Sequence, residues 1–418
     1  MKEDISSKDI CKIILETLRI IDKRLIAHGE RVAYIVSRML MCKEGYEEYE
    51  IAEYAFIAAL HDIGAFKVES GRDMLDFDVA HPMKHSIYGY LFMKYASPIE
   101  DRSKILMYSH IDEPQLKDVS FEGKEVSEFI HLVGRYDLFH NSLGDRFGIQ
   151  NLRAYEGKKF PAKNIDLLEL ALKKYEIDAK FKDNTYKDEL DELWKGLLFS
   201  DEEKQSYIRM LIFISGFRDE NNVINTMTSA MVSKEIAVRM ETFSESEMKE
   251  LFLGSALHDV GMLVVPEEIV NAPRKLTDEE MEIVRSHVSV VENVLKGRVN
   301  DNILKIALGH HERLDGNGYP HKWEGEKITK GARVLQVADT VTALTCDRPY
   351  HPPKSKEAVC KILQSEMDLN KFDRTVVMAF INNYDDIMRL AKEEADKMLE
   401  VFKELKVRYE KVKSTLMQ

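Results

Sequence analysis

The sequence predicts an all-α protein, with two helical bundle domains of one type in tandem and a long C-terminal helix. Three observations carry this. Apolar residues recur at three- and four-residue steps over most of the chain, strand-like alternation is almost absent, and one block with its flanking residues occurs twice. The composition agrees: only 10 Pro and 20 Gly in 418 residues leave few helix breaks, and 44% hydrophobic with 32% charged residues suits compact helical cores. At roughly 150 residues per domain, the length fits two or three domains.

In the first block, Val32, Ala33, Ile35, Val36, Met39 and Leu40 mark one face of a helix, and Ile51 to Leu60 mark another. The segment AALHDIG follows at 58–64. A charged, less periodic stretch at 141–186 contains GDRFGIQN, YEGKKFPAKN and KFKDNTYKDE and reads as a linker around the helical island DLLELALKKYE. The segment SALHDVG at 255–261 then repeats the first block behind an amphipathic stretch of its own. Near the end, Ala391, Ala395, Met398, Phe402, Leu405, Tyr409, Val412 and Leu416 alternate four- and three-residue steps. That spacing suits a helix packed on its own domain or one paired with another subunit in a homodimer. The expected division is a first domain at 1–140, the linker at 141–186, a second domain at 187–382 and a helical tail at 383–418.

Charge and composition exclude several functions. The 60 Lys and Arg against 73 Asp and Glu leave a net charge of −13, which repels a nucleic-acid polymer. No stretch approaches the roughly 18 uninterrupted apolar residues of a membrane-spanning helix. Cys11, Cys42, Cys346 and Cys360 form no C-x-x-C pair, and MKEDISSKDICKIIL lacks the pattern of a signal peptide, so a reducing, cytoplasmic setting is expected.

The repeat extends beyond the two heptapeptides. His28 lies 33 residues before His61, His85 lies 24 after it, His110 comes 25 later, and Asp137 follows by 27. In the second block Asn225 lies 33 before His258, His287 lies 29 after it, His311 comes 24 later, and Asp339 follows by 28. His with Asp suits Fe, Mn or Zn. Adjacent His and Asp side chains diverge by about 100° on a regular helix, so the pair belongs at a helix end, where Gly64 and Gly261 could release the chain in a left-handed conformation. An Asp so placed can bridge two metals while single His residues from later helices complete the cage. Asp339 falls within an apolar helix, where ligation would remove the cost of burying a carboxylate. In the run HHERLDGNGYP, consecutive His310 and His311 can serve two metals, or one metal and a bound phosphate, beside a glycine-rich turn.

Together, HDVG at 258–261, KLTDEEMEIVRSH at 275–287, HHERLDGNGYP at 310–320 and VADTVTALTCDRPY at 337–350 resemble the HD-GYP family of metal-dependent phosphohydrolases that cleave cyclic dinucleotides. The resemblance implies a phosphodiesterase that opens cyclic di-GMP or cyclic GMP-AMP to a linear dinucleotide, with two divalent ions, Fe or Mn, per active site. It implies His258, Asp259, His287, His310, His311 and Asp339 as metal ligands, with His258 and Asp259 as the catalytic pair, and Tyr319 and Arg348 facing the substrate. Asn225 and Asn221 stand where such proteins usually carry His and Glu or His, and Met262 stands where they commonly carry Lys. The first block is similar to a plain HD domain whose ligands would be His28, His61, Asp62, His85, His110 and Asp137. There Ala65 replaces the usual Lys with Lys67 nearby, Ser109 precedes His110, and DEPQLKD replaces the GYP turn. Two rival readings follow from the departures: a receptor that binds the dinucleotide or a partner without cutting it, and a nucleotide phosphohydrolase that uses the first site.

Overall fold

The computed structural model describes residues 5–68, 83–346 and 352–416. Among these the secondary structure is helical, and extended pairing is limited to the isolated bridges Glu156–Phe160 and Asp315–Glu324. The chain divides into two compact units, one of Ile21–Tyr207 with Glu404–Gln418 and one of Met1–Ile20 with Ile208–Lys403. The all-α expectation holds.

In the first unit, helix Lys23–Met41 packs against Glu48–Ala59, Lys124–Leu143 and Ala162–Lys174. The apolar stripe read from the sequence is the contact face, since Val32, Ile35, Val36 and Met39 are fully buried with Phe56 and Phe129. In the second unit, helix Glu220–Met240 packs against Glu245–Leu257 and Lys330–Thr345. Val232, Ile236, Leu251, Ile306, Val334 and Phe380 form its core. Each unit thus sets a long helix against two partners, one ending in the His-Asp pair and one carrying the late Asp.

The boundaries differ from the sequence division. The stretch 141–186 holds helix Ala162–Lys174, whose Ile165, Leu168 and Ala171 are buried against the first unit's helices. Its charges occupy the outer face, which makes a folded helix look like a linker in sequence. Helix Ser7–Ile21 falls, to Ile20, with the second unit. The tail forms one helix, Tyr384–Leu416, on which Ala391, Ala395, Phe402 and Leu405 are buried within the chain. Phe402 meets Phe213 at 5.0 Å, and Tyr409 meets Tyr88 at 5.6 Å. Of the two uses open to this stripe, packing on its own chain is the one observed.

Candidate metal centres

Helix Glu245–Leu257 ends at the second His-Asp pair. His258 keeps helical angles as the C-cap, Asp259 leaves them at φ −109° and ψ 10°, and a tight turn follows over Val260–Val264. This break lets two neighbouring side chains share one site. The expected left-handed glycine does not occur, because neither Gly261 nor Gly64 has a positive φ. These glycines serve close approach instead. A Cβ on Gly261 would lie 2.1 Å from the carbonyl oxygen of His287, and one on Gly64 would lie 2.0 Å from that of His85. Backbone contact therefore sets each later His beside its His-Asp pair.

Around Asp259, Oδ2 is 3.3 Å from His258 Nε2, while Oδ1 is 3.5 Å from His287 Nε2 and 3.9 Å from His310 Nε2. Asp339 Oδ1 is 3.8 Å from His258 Nε2. Two groups of ligand atoms result, each within 4.8 Å: His258 with Asp259 and Asp339, and His287 with His310 and His311. All six residues expected in this cluster are brought together.

The hydrogen bonds assign the ring tautomers. Nδ1 of His258, His287 and His310 lies 2.7, 2.6 and 2.6 Å from the carbonyl oxygen three residues earlier, on Ser255, Val284 and Ala307. A carbonyl only accepts, so each Nδ1 carries a proton and each Nε2 is turned into the cluster. Nε2 of His287 and of His310 stand 3.1 Å apart, and Nε2 of buried His258 has no hydrogen-bond partner. Imidazole nitrogens gathered with two carboxylates in one buried cluster are a donor set that fits divalent metal.

The electrostatics of the cluster differ from ring to ring. Burial opposes charge on His258, but Asp259 and Asp339 outweigh it and raise its pKa to about 10. Burial and the neighbouring His258 and His287 push His310 down to about 3. Asp259 is held well below the usual carboxylate range, its burial overcome chiefly by His258.

The first unit repeats the plan with changes. Asp62 Oδ2 lies 3.2 Å from His61 Nε2 and 3.9 Å from His28 Nε2, while Oδ1 lies 3.1 Å from His110 and 3.5 Å from His85. The two ligand groups are His28 with His61 and Asp62, and Asp62 with His85 and His110. His61 Nδ1 again donates to the carbonyl three residues back, at 2.8 Å from Ala58. Ser109, which stands where the second unit has His310, donates its hydroxyl to Leu106 at 2.8 Å and turns no ligand inward. Asp137 enters neither group. Its oxygens accept from His28 Nδ1 at 2.8 Å and from Arg31 at 2.6 and 2.8 Å.

Beside the second cluster, Tyr319 stacks on His311 at 4.6 Å, and the Arg285 guanidinium lies 5.2 Å over the Tyr319 ring. Burial, then Asp339 and Asp259, push the Tyr319 phenol upward, so it stays a hydrogen-bond donor. The loop carrying Tyr319 is pinned by fully buried Glu312, which accepts from the His321 amide at 2.7 Å and the Trp323 amide at 2.9 Å. Gln336 donates to the Gly309 carbonyl at 2.9 Å and ties the double-His turn to helix Lys330–Thr345. Sequence reading missed Glu312, Gln336, Arg31 and Arg285 as site residues. The first two act through backbone groups whose positions only the fold reveals, whereas Arg31 stands one helical turn from His28. Asn225 is half-buried on helix Glu220–Met240, Asn221 is exposed, and Met262 lies in the turn after Asp259. Arg348 lies outside the described residues.

Residues 214–376 match the family model described as HD domain. Over 385 residues the chain is 24% identical to the 3'3'-cGAMP-specific phosphodiesterase 1 of Vibrio cholerae serotype O1, covering 88% of this chain and 89% of that protein. It is 32% identical over 193 residues to the cyclic di-GMP phosphodiesterase of Thermotoga maritima, covering 45% of this chain and 52% of that one. The crystal structure of a cyclic GMP-AMP specific phosphodiesterase from V. cholerae, V-cGAP3, superposes with a TM-score of 0.61 at 17% identity, covering 91% of this chain and 97% of that one. At that identity the likeness establishes a shared fold.

Proposed function

We propose that the chain, which matches the HD-domain model over residues 214–376 and is similar to phosphodiesterases of cyclic dinucleotides, binds divalent metal and hydrolyses a cyclic dinucleotide, cyclic di-GMP or cyclic GMP-AMP, to the linear dinucleotide. The observation that carries this is Asp259, whose two oxygens face separate imidazole groups, His258 on one side and His287 with His310 on the other. One carboxylate serving two ligand groups is the arrangement for two ions. Fe or Mn suits this mixture of imidazole and carboxylate.

His258, Asp259, His287, His310, His311 and Asp339 would hold the ions, which when bound supply hydroxide near neutral pH and neutralise the non-bridging phosphate oxygens. Asp259 would face both ligand groups, and the carbonyl bonds at Nδ1 keep the imidazoles aimed. Tyr319 presents a protonated phenol and a stacking face for the dinucleotide. Arg348 is assigned to the second phosphate through bidentate hydrogen bonds. We read the first unit as a diverged HD bundle, and four cysteines without a C-x-x-C pair suit a reducing cytoplasm.

The test is anaerobic reconstitution with Fe(II) or Mn(II), followed by assay of both cyclic dinucleotides for linear product. Absence of turnover with metal bound overturns the proposal. Met262, in place of a cation near phosphate, favours a second reading as a receptor; dinucleotide binding without product, unchanged in H258A/D259A, would support it. The assembled first cluster favours a third, a nucleotide phosphohydrolase at that site, and activity lost in H61A/D62A but kept in H258A/D259A would establish it.

A further inference from the structure

The two clusters differ at one corner, and residues outside the expected ligands make the difference. Asp137 is 1% exposed, and four donors converge on it. Its Oδ1 accepts from Arg31 Nε at 2.6 Å and Asn141 Nδ2 at 3.0 Å, and its Oδ2 accepts from His28 Nδ1 at 2.8 Å and Arg31 Nη2 at 2.8 Å. A carboxylate offers about four lone-pair sites, so none is left for a metal. The bond to His28 Nδ1 also selects the tautomer that turns His28 Nε2 toward Asp62 and His61.

The second unit lacks both sequence partners of this arrangement. His28 and Arg31 are three residues apart on their helix, and the residues with the same spacing from the second His-Asp pair are Asn225 and Thr228. Neither supplies an imidazole or a guanidinium. Asp339, at the repeat position of Asp137, instead joins His258 and Asp259 as a ligand group. Where the early helix offers His and Arg, the late Asp is occupied; where it offers Asn and Thr, the late Asp faces the cluster.

We propose that Asp137 is a positioning residue in the outer sphere of the first centre, held by Arg31, and that the inner ligands there are His28, His61, Asp62, His85 and His110. This rests on the reading that the first cluster binds metal. Asp62 is then the sole inner carboxylate, whereas the second centre has Asp259 and Asp339. Metal at the first centre keeps more uncompensated positive charge.

The test uses the full chain with both ligand groups of the second centre disabled by H258A, D259N, H287A and H310A, loaded with Co(II). Cobalt per chain and the visible ligand-field bands are recorded for this parent, for D62N and for D137N. The expected result is cobalt in the parent, none at the first centre in D62N, and retention in D137N with unchanged band positions and affinity weakened by about 10- to 100-fold. Loss of cobalt in D137N as complete as in D62N, or bands shifted as by a lost ligand, overturns the outer-sphere role and leaves the metal reading intact. A parent that holds no cobalt overturns both. Should D137N fail to fold, the Zn(II)-loaded parent decides by NMR: a downfield Nδ1 proton on His28, absent in H28N, is expected, and its absence from the loaded parent overturns the proposal.

Discussion

Glu312 shows how much of the second centre depends on a single carboxylate that faces no expected ligand. Both oxygens accept backbone amides of the loop that follows the glycine-rich turn, and the side chain is fully buried. Replacing it with Ala leaves two amides without acceptors, at about 1–3 kcal/mol each. The expected outcome for E312A is a destabilised loop and a large fall in dinucleotide turnover with metal content retained, read by chemical denaturation, metal analysis and product assay. G261A is expected to act differently. Its Cβ would press on the His287 carbonyl at 2.1 Å, so it should cost at least the roughly 1–3 kcal/mol of overpacking and lower metal content as well. At this scale the gathering of His258, Asp259, His287, His310, His311 and Asp339 was foreseen from the HDVG and HHERLDGNGYP segments and the resemblance they carry. The bonding of Asp137 was not, because a carboxylate held by Arg31 and one that holds metal look alike in sequence.

Among the elements, helix Asp278–Leu295 carries His287 and starts from a capping box. The Thr277 hydroxyl accepts the Glu280 amide at 3.2 Å, and Glu280 accepts the Thr277 amide at 2.9 Å. Thr277→Ala is expected to cost about 1 kcal/mol, measured by urea denaturation. Glu280 adds a pH dependence. Its bonds to Arg274 and to the Thr277 amide lower its pKa from 4.5 to about 2. A carboxyl depressed in the folded state stabilises above its unfolded pKa and loses that contribution as the pH falls through the folded value. The stability of E280Q should therefore be less dependent on pH between 4.5 and 2 than that of the wild type, as seen in melts across that range. Helices with clean apolar stripes, such as Lys23–Met41, were plain in the sequence. Ala162–Lys174 was visible as a helical island, but its place in the first unit's core was obscured because its charges dominate local composition.

For the whole molecule, the net charge of −13 includes carboxylates gathered inside two clusters of imidazoles. Cations at these points stabilise the folded chain by mass action, by about 2.7 kcal/mol per site when free metal is 100-fold above its Kd. Chelation is expected to lower the melting temperature in calorimetry, and readdition of Mn(II) to restore it. The all-α class was legible because helical periodicity persists along the chain. The division into units was not, since helix Ser7–Ile21 falls mostly with residues far along the sequence, and a chain's order carries no sign of such a return.

The glycine contacts carry a last consequence. Gly64 and Gly261 set the distance between each His-Asp pair and its next imidazole through main-chain atoms, with no side chain acting as spacer. The frame of the centre is thus independent of the groups mounted on it. Exchanging His for Asn, Arg for Thr or His for Ser at the mounting points alters the charge and donor count of a centre while the glycine contact remains. A single scaffold can therefore hold two differently charged centres, and new ones can be made in it by exchanging side chains alone.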